Sequence, residues 1–268
     1  MTLKPHPIRI EFITDDNPLY VLPFFEELLA NYAAEFTISR ISLCRPMGKR
    51  SRLDLLRQLV ALYGTFGSVR LFGRLLRARV LSILPRQRGA ARYFSLSQLA
   101  KAYGIECERI ANPNSAEFRT GLESRRPDLL ASVACPYILK APLLAIPTQG
   151  CINIHHAPLP RYKGMMPTFW QLFHGEKNVG VTIHYMTEAI DEGGVLLQEQ
   201  LPVEQHESLD RLITRAKRHG AHAMAKVFRG IAAGTQTAVP LDNQCSSYFT
   251  FPTTAEMLAF RKRGLRAI

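Results

Sequence analysis

The stretch Cys151-Ile152-Asn153-Ile154-His155-His156-Ala157-Pro158-Leu159-Pro160-Arg161-Tyr162-Lys163-Gly164 decides how the rest of the chain is read. Its first five residues alternate with a period of two, which puts Ile152 and Ile154 on one face of a strand and Asn153 and His155 on the other. Two prolines then cannot continue a ladder, and Gly164 permits an unusual backbone angle, so the strand stops at the histidine and a turn-rich loop follows. One face of that strand therefore carries chemistry.

Downstream, Gly180 to Tyr185 reads as a second strand, leading through Met186-Thr187-Glu188-Ala189-Ile190 to Asp191-Glu192-Gly193-Gly194, and Val195 to Leu201 as a third. A carboxylate beside two glycines at a strand edge can approach a neighbouring loop closely. Asparagine, histidine and aspartate in one cleft suit acyl transfer. A fixed amide N–H or an imidazolium stabilises a tetrahedral oxyanion, and the amine proton must move through a group titrating near neutrality. The carboxylate orients the imidazole and raises its pKa. The same residues also fit plainer roles: a satisfied structural histidine, an asparagine that caps the loop, and an Asp191–Gly193 turn.

Upstream, Ile8 to Ile13 reads as a first strand, Thr14 to Pro18 as the cap of a helix from about Leu19 to Tyr32, and Glu35 to Leu43 as a second strand. This β-turn-α-β opening favours a parallel sheet with ligands beyond the carboxyl ends of its strands. No glycine-rich phosphate loop follows the first strand, so a dinucleotide or ATP site is not supported. Helices are expected over Leu96–Tyr103, Ala116–Ser124, Leu143–Ile146, Pro167–Phe173 and from a Ser208 cap to about Ala232. Strands are expected over Ile105–Ile110 and Pro127–Ala134.

The ordered set Asn153-Ile154-His155, Pro158-Leu159-Pro160-Arg161-Tyr162-Lys163-Gly164, Gly175, Gly180-Val181-Thr182-Ile183 and Ile190-Asp191-Glu192-Gly193-Gly194 resembles the signature of the folate-dependent formyltransferases. That family includes enzymes that formylate Met-tRNA, glycinamide ribonucleotide and amino sugars. The resemblance extends over most of Asp128 to Leu201 and implies a Rossmann-like α/β fold with a mostly parallel sheet, catalytic roles for Asn153, His155 and Asp191, and 10-formyltetrahydrofolate as formyl donor. It also implies a donor pocket involving Pro136, Tyr137, Ile138, Leu139 and Gly193. His156 stands where the family commonly has proline or glycine, and Ala157-Pro158 where the tRNA enzymes have a Ser-Leu pair. The Ala-Pro-Leu-Pro loop is more similar to sugar-modifying members, so the expected acceptor is an amino sugar nucleotide or another small amine. Three alternatives stand beside this expectation: Met-tRNA as acceptor, hydrolysis of formyltetrahydrofolate, and a non-catalytic binding protein that docks through a basic segment.

That basic segment runs from Lys49 to Arg92, with eleven basic residues and one acidic, Asp54, a surplus of ten against +12 for the whole chain. Its apolar residues, from Leu53 to Tyr63 and from Leu71 to Leu81, recur at helical spacing and predict two amphipathic helices separated around Gly64 to Gly67. Such helices suit packing on the sheet, an anionic membrane surface or nucleic-acid phosphates. The 268 residues are expected to form a catalytic domain over 1–205, with an insertion at 49–92, and a C-terminal helix and extension over 206–268 packed on it. The tail around Ser246–Thr253 is expected to cover the active-site region and to be too short for a tRNA-binding domain. Five scattered cysteines, with no metal spacing, and an N-terminus without a signal-peptide apolar region predict a reduced cytoplasmic protein, peripheral at the membrane if the insertion docks there. No metal site is expected: His219 and His222 lack a third ligand.

Overall fold

The computed structural model describes residues 8–45 and 52–268; residues 1–7 and 46–51, the latter including Lys49 and Arg50 of the basic segment, lie outside the described residues. In chain order the strands are β1 (Arg9–Asp15), β2 (Thr37–Cys44), β3 (Glu106–Ile110), β4 (Leu129–Val133), β5 (Cys151–His155), β6 (Lys163–Gly164), β7 (Asn178–Tyr185), β8 (Val195–Pro202) and β9 (Tyr248–Phe249). Seven of them form one sheet in the order β3-β2-β1-β4-β5-β7-β8. The first five of that order are mutually parallel, and β7 and β8 close the edge antiparallel. This is the mostly parallel α/β sheet expected, with crossovers made by helices.

The helices are α1 (Leu22–Tyr32), α2 (Arg52–Leu81), α3 (Leu96–Ala102), α4 (Ala116–Arg125), α5 (Ala141–Leu144), α6 (Pro167–Phe173), α7 (Leu209–Ala232) and α8 (Thr254–Lys262). Three local differences from the sequence reading have physical causes. The Asn17 carboxamide oxygen accepts from the N–H of both Leu19 and Tyr20, closing a separate turn, so α1 begins at Leu22 with Pro23 in its first turn. Pro142 likewise sits in the first turn of α5, which starts two residues earlier than expected. Helix α8 was not expected at all, although Thr253 and Glu256 form a capping box that announces it.

On one face of the sheet α1 and α7 bury Phe12, Phe24, Phe25 and Phe228 in a cluster of edge-to-face rings, Phe12 and Phe25 with centroids 5.0 Å apart. Each fully buried ring contributes about 1.5–3 kcal/mol of transfer free energy. Ile152 and Ile154 belong to this core, which fixes the register of β5 and turns Asn153 and His155 the other way. A second cluster gathers α6, α8 and the first arm of α2 around Phe169, Trp170, Met257 and Phe260. Trp170 is a core residue whose Nε1–H donates to the Thr250 carbonyl at 3.0 Å. The tail is thereby tied to the loop after β5, and β9 pairs with β6 in that loop.

Helix α2 is broken at Gly64 (φ 69°, ψ 174°), where the two sequence-predicted helices meet. Its first arm packs on α8, with Ala61 and Leu62 buried. Its second arm is tethered by Arg74 Nη1 to Asp210 Oδ2 at 2.7 Å and through Gln98, whose Nε2 donates to the Leu81 carbonyl.

Candidate active site

Strand β5 delivers Asn153 and His155 to the carboxyl end of the parallel sheet, where open α/β sheets bind ligands. Antiparallel pairing with β7 sets Asn153 opposite His184 and His155 opposite Thr182. The loop that follows is held from several sides. Thr182 Oγ1 donates to the Ala157 carbonyl at 2.6 Å, and Gln198 Nε2 to the Leu159 carbonyl at 2.9 Å. The buried Gln171 carboxamide donates to the His156 carbonyl and accepts from Gly180 N–H, both at 2.8 Å. So braced, the loop turns back until the Tyr162 carbonyl lies 2.8 Å from His155 Nε2. A carbonyl only accepts, so Nε2 carries the hydrogen and Nδ1 is the open nitrogen.

Asp191 faces that open nitrogen, Oδ2 lying 3.5 Å from His155 Nδ1, while Oδ1 lies 3.6 Å from His184 Nε2. The carboxylate also accepts the backbone N–H of Gly164 at 2.9 Å, linking the turn after β7 to the loop after β5. Two glycines in this corner leave no room for a side chain. A Cβ on Gly193 would stand 1.8 Å from the Tyr185 carbonyl oxygen. One on Gly164, whose φ is +93°, would stand 2.3 Å from the Phe249 carbonyl oxygen. The buried Lys163 ammonium then fastens the corner to Glu192 at 3.0 Å and to Asn243 at 2.9 Å.

Burial pushes the Asp191 carboxyl up, but the facing His155, His184 and the Gly164 N–H outweigh it and hold it at about 2. Burial lowers the His155 imidazole below its usual range, against the opposing pull of Asp191 and the Tyr162 carbonyl. The pair therefore rests at neutral pH as a carboxylate beside a neutral imidazole, ready to take a proton at Nδ1. His184 donates from Nδ1 to the Tyr185 carbonyl at 2.8 Å, so its Nε2 accepts from Asn153 Nδ2 at 3.2 Å. That contact orients the Asn153 amide and leaves its second N–H without a protein partner among the described residues.

His184 was missed by the sequence reading, although it shares the alternating face of Thr182 in its strand. So was Lys217, buried on α7 with Nζ 3.4 Å from His156 Nδ1. Burial pushes this ammonium down to about 8, with Asp15 opposing. A lysine on the core-facing stripe that also holds Ala216 and Gly220 was the available signal.

The segment 136–139 leaves the end of β4, whose Ser132 and Val133 pair with Asn153 and Ile154. Pro136 and Tyr137 are half-buried and Ile138 is exposed, whereas Leu139 is fully buried in the core. Asn114 braces the segment, donating to the Ile138 carbonyl and accepting from Lys140 N–H, both at 2.9 Å. The Lys140 ammonium is 3.9 Å from Glu188, in the turn that leads to Asp191. Among the described residues no group of three or more His, Cys, Asp and Glu is arranged to hold a metal ion. His219 pairs instead with Glu199 at 2.8 Å, and His222 with Glu27 at 3.1 Å.

The fold is that of the formyltransferases. A sugar N-formyltransferase from Shewanella superposes with a TM-score of 0.57 at 18% identity, over 92% of this chain and 78% of the other. A glycinamide ribonucleotide transformylase from Symbiobacterium toebii gives 0.60 at 18%, over 90% and 98%. The formyl transferase family model matches residues 86–228, and the chain belongs to that family. In sequence it is 40% identical over 149 residues to a methionyl-tRNA formyltransferase of Syntrophus aciditrophicus, covering 56% of this chain and 48% of the relative. A methionyl-tRNA formyltransferase of Lachnospira eligens is 33% identical over 165 residues, 61% and 52%. The chain spans about half the length of these curated relatives.

Proposed function

We propose that the protein transfers a formyl group from 10-formyltetrahydrofolate to a primary amine, with Asn153, His155 and Asp191 as its catalytic residues. The observation that carries this reading is the convergence of the open His155 Nδ1, the ionised Asp191 and the oriented Asn153 amide at one strand end. The amine nitrogen attacks the formyl carbon, and the resulting oxyanion is stabilised by the uncommitted Asn153 N–H. His155 Nδ1 takes the proton released by the amine, and Asp191 stabilises the imidazolium so formed. The same proton is returned to the folate nitrogen as its bond to the carbon breaks, releasing tetrahydrofolate and the formamide.

We place the donor at the segment of Pro136, Tyr137, Ile138 and Leu139, the last by its backbone alone since its side chain is buried, with Gly193 in the turn that Lys140 approaches through Glu188. Exposed Ile138 offers apolar contact for a flat ring, and the segment adjoins Asn153 at the sheet's carboxyl edge. We take the acceptor to be an amino sugar nucleotide or another small amine, as the Ala157-Pro158-Leu159-Pro160 loop suggests. The second reading, Met-tRNA, is favoured by the 40% identity to the Syntrophus relative. Incubation with 10-formyltetrahydrofolate and separate pools of amino sugar nucleotides, amino acids and Met-tRNA, read by mass spectrometry, tests both. One formyl unit gained by an amino sugar nucleotide supports the first reading, and a gain on Met-tRNA alone the second. Release of formate with no acceptor formylated identifies a hydrolase and overturns both.

A further inference from the structure

The second arm of α2 carries two apolar stripes on opposite sides. Leu71 and Ala78 are buried against the body of the protein, while Phe66, Val69, Phe72, Leu76 and Val80 face outward. Phe66 is 81% exposed, Val69 72% and Phe72 67%, and Ile83, just beyond the helix, is 82% exposed. At about 100° per residue, the outward side chains from Phe72 to Phe66 cover an arc of about 120°. Arg70 and Arg77 flank one edge of that arc and Arg79 the other. Arg70 and Arg79 have no carboxylate partner among the described residues. At the Arg77 edge a cavity of about 340 Å³ is also lined by Arg74, Arg92 and Arg218, together with Glu26. The family match begins at residue 86, after this helix.

We propose that this arm lies in the surface of an anionic lipid bilayer, with its outward stripe in the acyl boundary and its flanking arginines at the headgroups. Aliphatic and phenyl side chains bordered by guanidinium groups are the pattern of an interfacial helix whose arginines reach sideways to phosphates. Charge selects lipid over a second copy of the chain. A two-fold contact through this stripe would set the arginines of one copy against those of the other, with Asp54 the one carboxylate in residues 49–92. Nucleic acid would use the arginines and stack on Phe66 and Phe72, but would gain little from Val69, Leu76 and Val80, which make up the rest of the exposed stripe. The stretch Leu56–Leu81, with 26 residues, is long and apolar enough to cross a bilayer by length and composition. Crossing is opposed by the break at Gly64, by the packing of Leu71 and Ala78, and by the Arg74–Asp210 pair. The helix therefore lies on the membrane.

Co-sedimentation of the full chain with phosphatidylcholine vesicles, and with vesicles of phosphatidylcholine and phosphatidylglycerol in equal parts, tests this. Binding to the anionic vesicles is expected to be at least about tenfold tighter and to weaken with salt. Val69→Gln/Phe72→Gln/Val80→Gln changes only exposed positions, so its circular dichroism should match wild type while vesicle binding falls about tenfold or more. Arg70→Gln/Arg79→Gln should lose about twenty-five-fold, at about fivefold per arginine near the surface. Equal binding to both vesicle types overturns the proposal. So does a concentration-dependent dimer that the triple variant abolishes in the absence of vesicle binding, which assigns the stripe to a second copy. RNA binding without vesicle binding overturns it as well.

Discussion

Replacing Asp191 with asparagine removes one charge from a buried contact while keeping its shape. At 3.5 Å and an effective dielectric of about 20, the attraction between the carboxylate and an imidazolium at His155 is worth at most about 5 kcal/mol. The asparagine oxygen keeps part of this as a dipole, so about half is expected to be lost, which lowers kcat/KM roughly a hundredfold. The pH profile carries a second signature. Asp191 raises a His155 pKa that burial lowers, so removing the charge lets that pKa fall further, and the acid limb of the profile moves to lower pH. The assay is formyl transfer from 10-formyltetrahydrofolate to the acceptor identified by the mass-spectrometric screen, measured between pH 5 and pH 9. A variant within threefold of wild type, or an acid limb that moves upward, refutes the pairing of these two residues.

Asn153→Ala should lower kcat by about two to three orders of magnitude with little change in KM, checked by the same steady-state assay. The Asp191 carboxyl, held at about 2 against 3.8 for the free group, contributes stability that is full above about pH 4 and is lost as pH falls through 2. That contribution is about 2 kcal/mol, and urea titrations at pH 6 and pH 3 should give a smaller drop in stability for Asp191→Asn than for wild type. Ser208→Ala removes the oxygen that accepts the Arg211 N–H at the start of α7 and should cost about 1 kcal/mol in urea unfolding. Phe228→Ala, which removes a fully buried ring packed edge-on against Phe12 and Phe36, should cost about 3–5 kcal/mol.

The reading from sequence worked where local pattern and tertiary demand coincide. The alternation of Ile152 and Ile154 with Asn153 and His155 named the strand and its chemical face, because that strand is packed on one side by the hydrophobic core. A break around Gly64 to Gly67 was legible in the basic segment, and the structure puts it at Gly64, where a backbone with φ at 69° favours glycine. What escaped depends on which elements meet. His184 matters because β7 runs antiparallel to β5 at a register that sets it opposite Asn153, and a single strand does not reveal its partner's register. Lys217 reaches His156 only because α7 packs against β5, with Gly220 close to both Ile154 and His156. The sequence groups Leu71, Leu76 and Val80 of the second α2 arm on one apolar face, and only the packing, which buries Leu71 and Ala78 and exposes Leu76 and Val80, separates the inward from the outward.

The most direct test of the central claim follows an isotope-labelled formyl carbon from 10-formyltetrahydrofolate in a single turnover, comparing wild type with a folded His155→Ala variant. Label is expected on the nitrogen of the acceptor with wild type and almost none with the variant, both proteins binding the folate. Transfer by the variant at the wild-type rate, or label recovered from wild type only as formate, would contradict it.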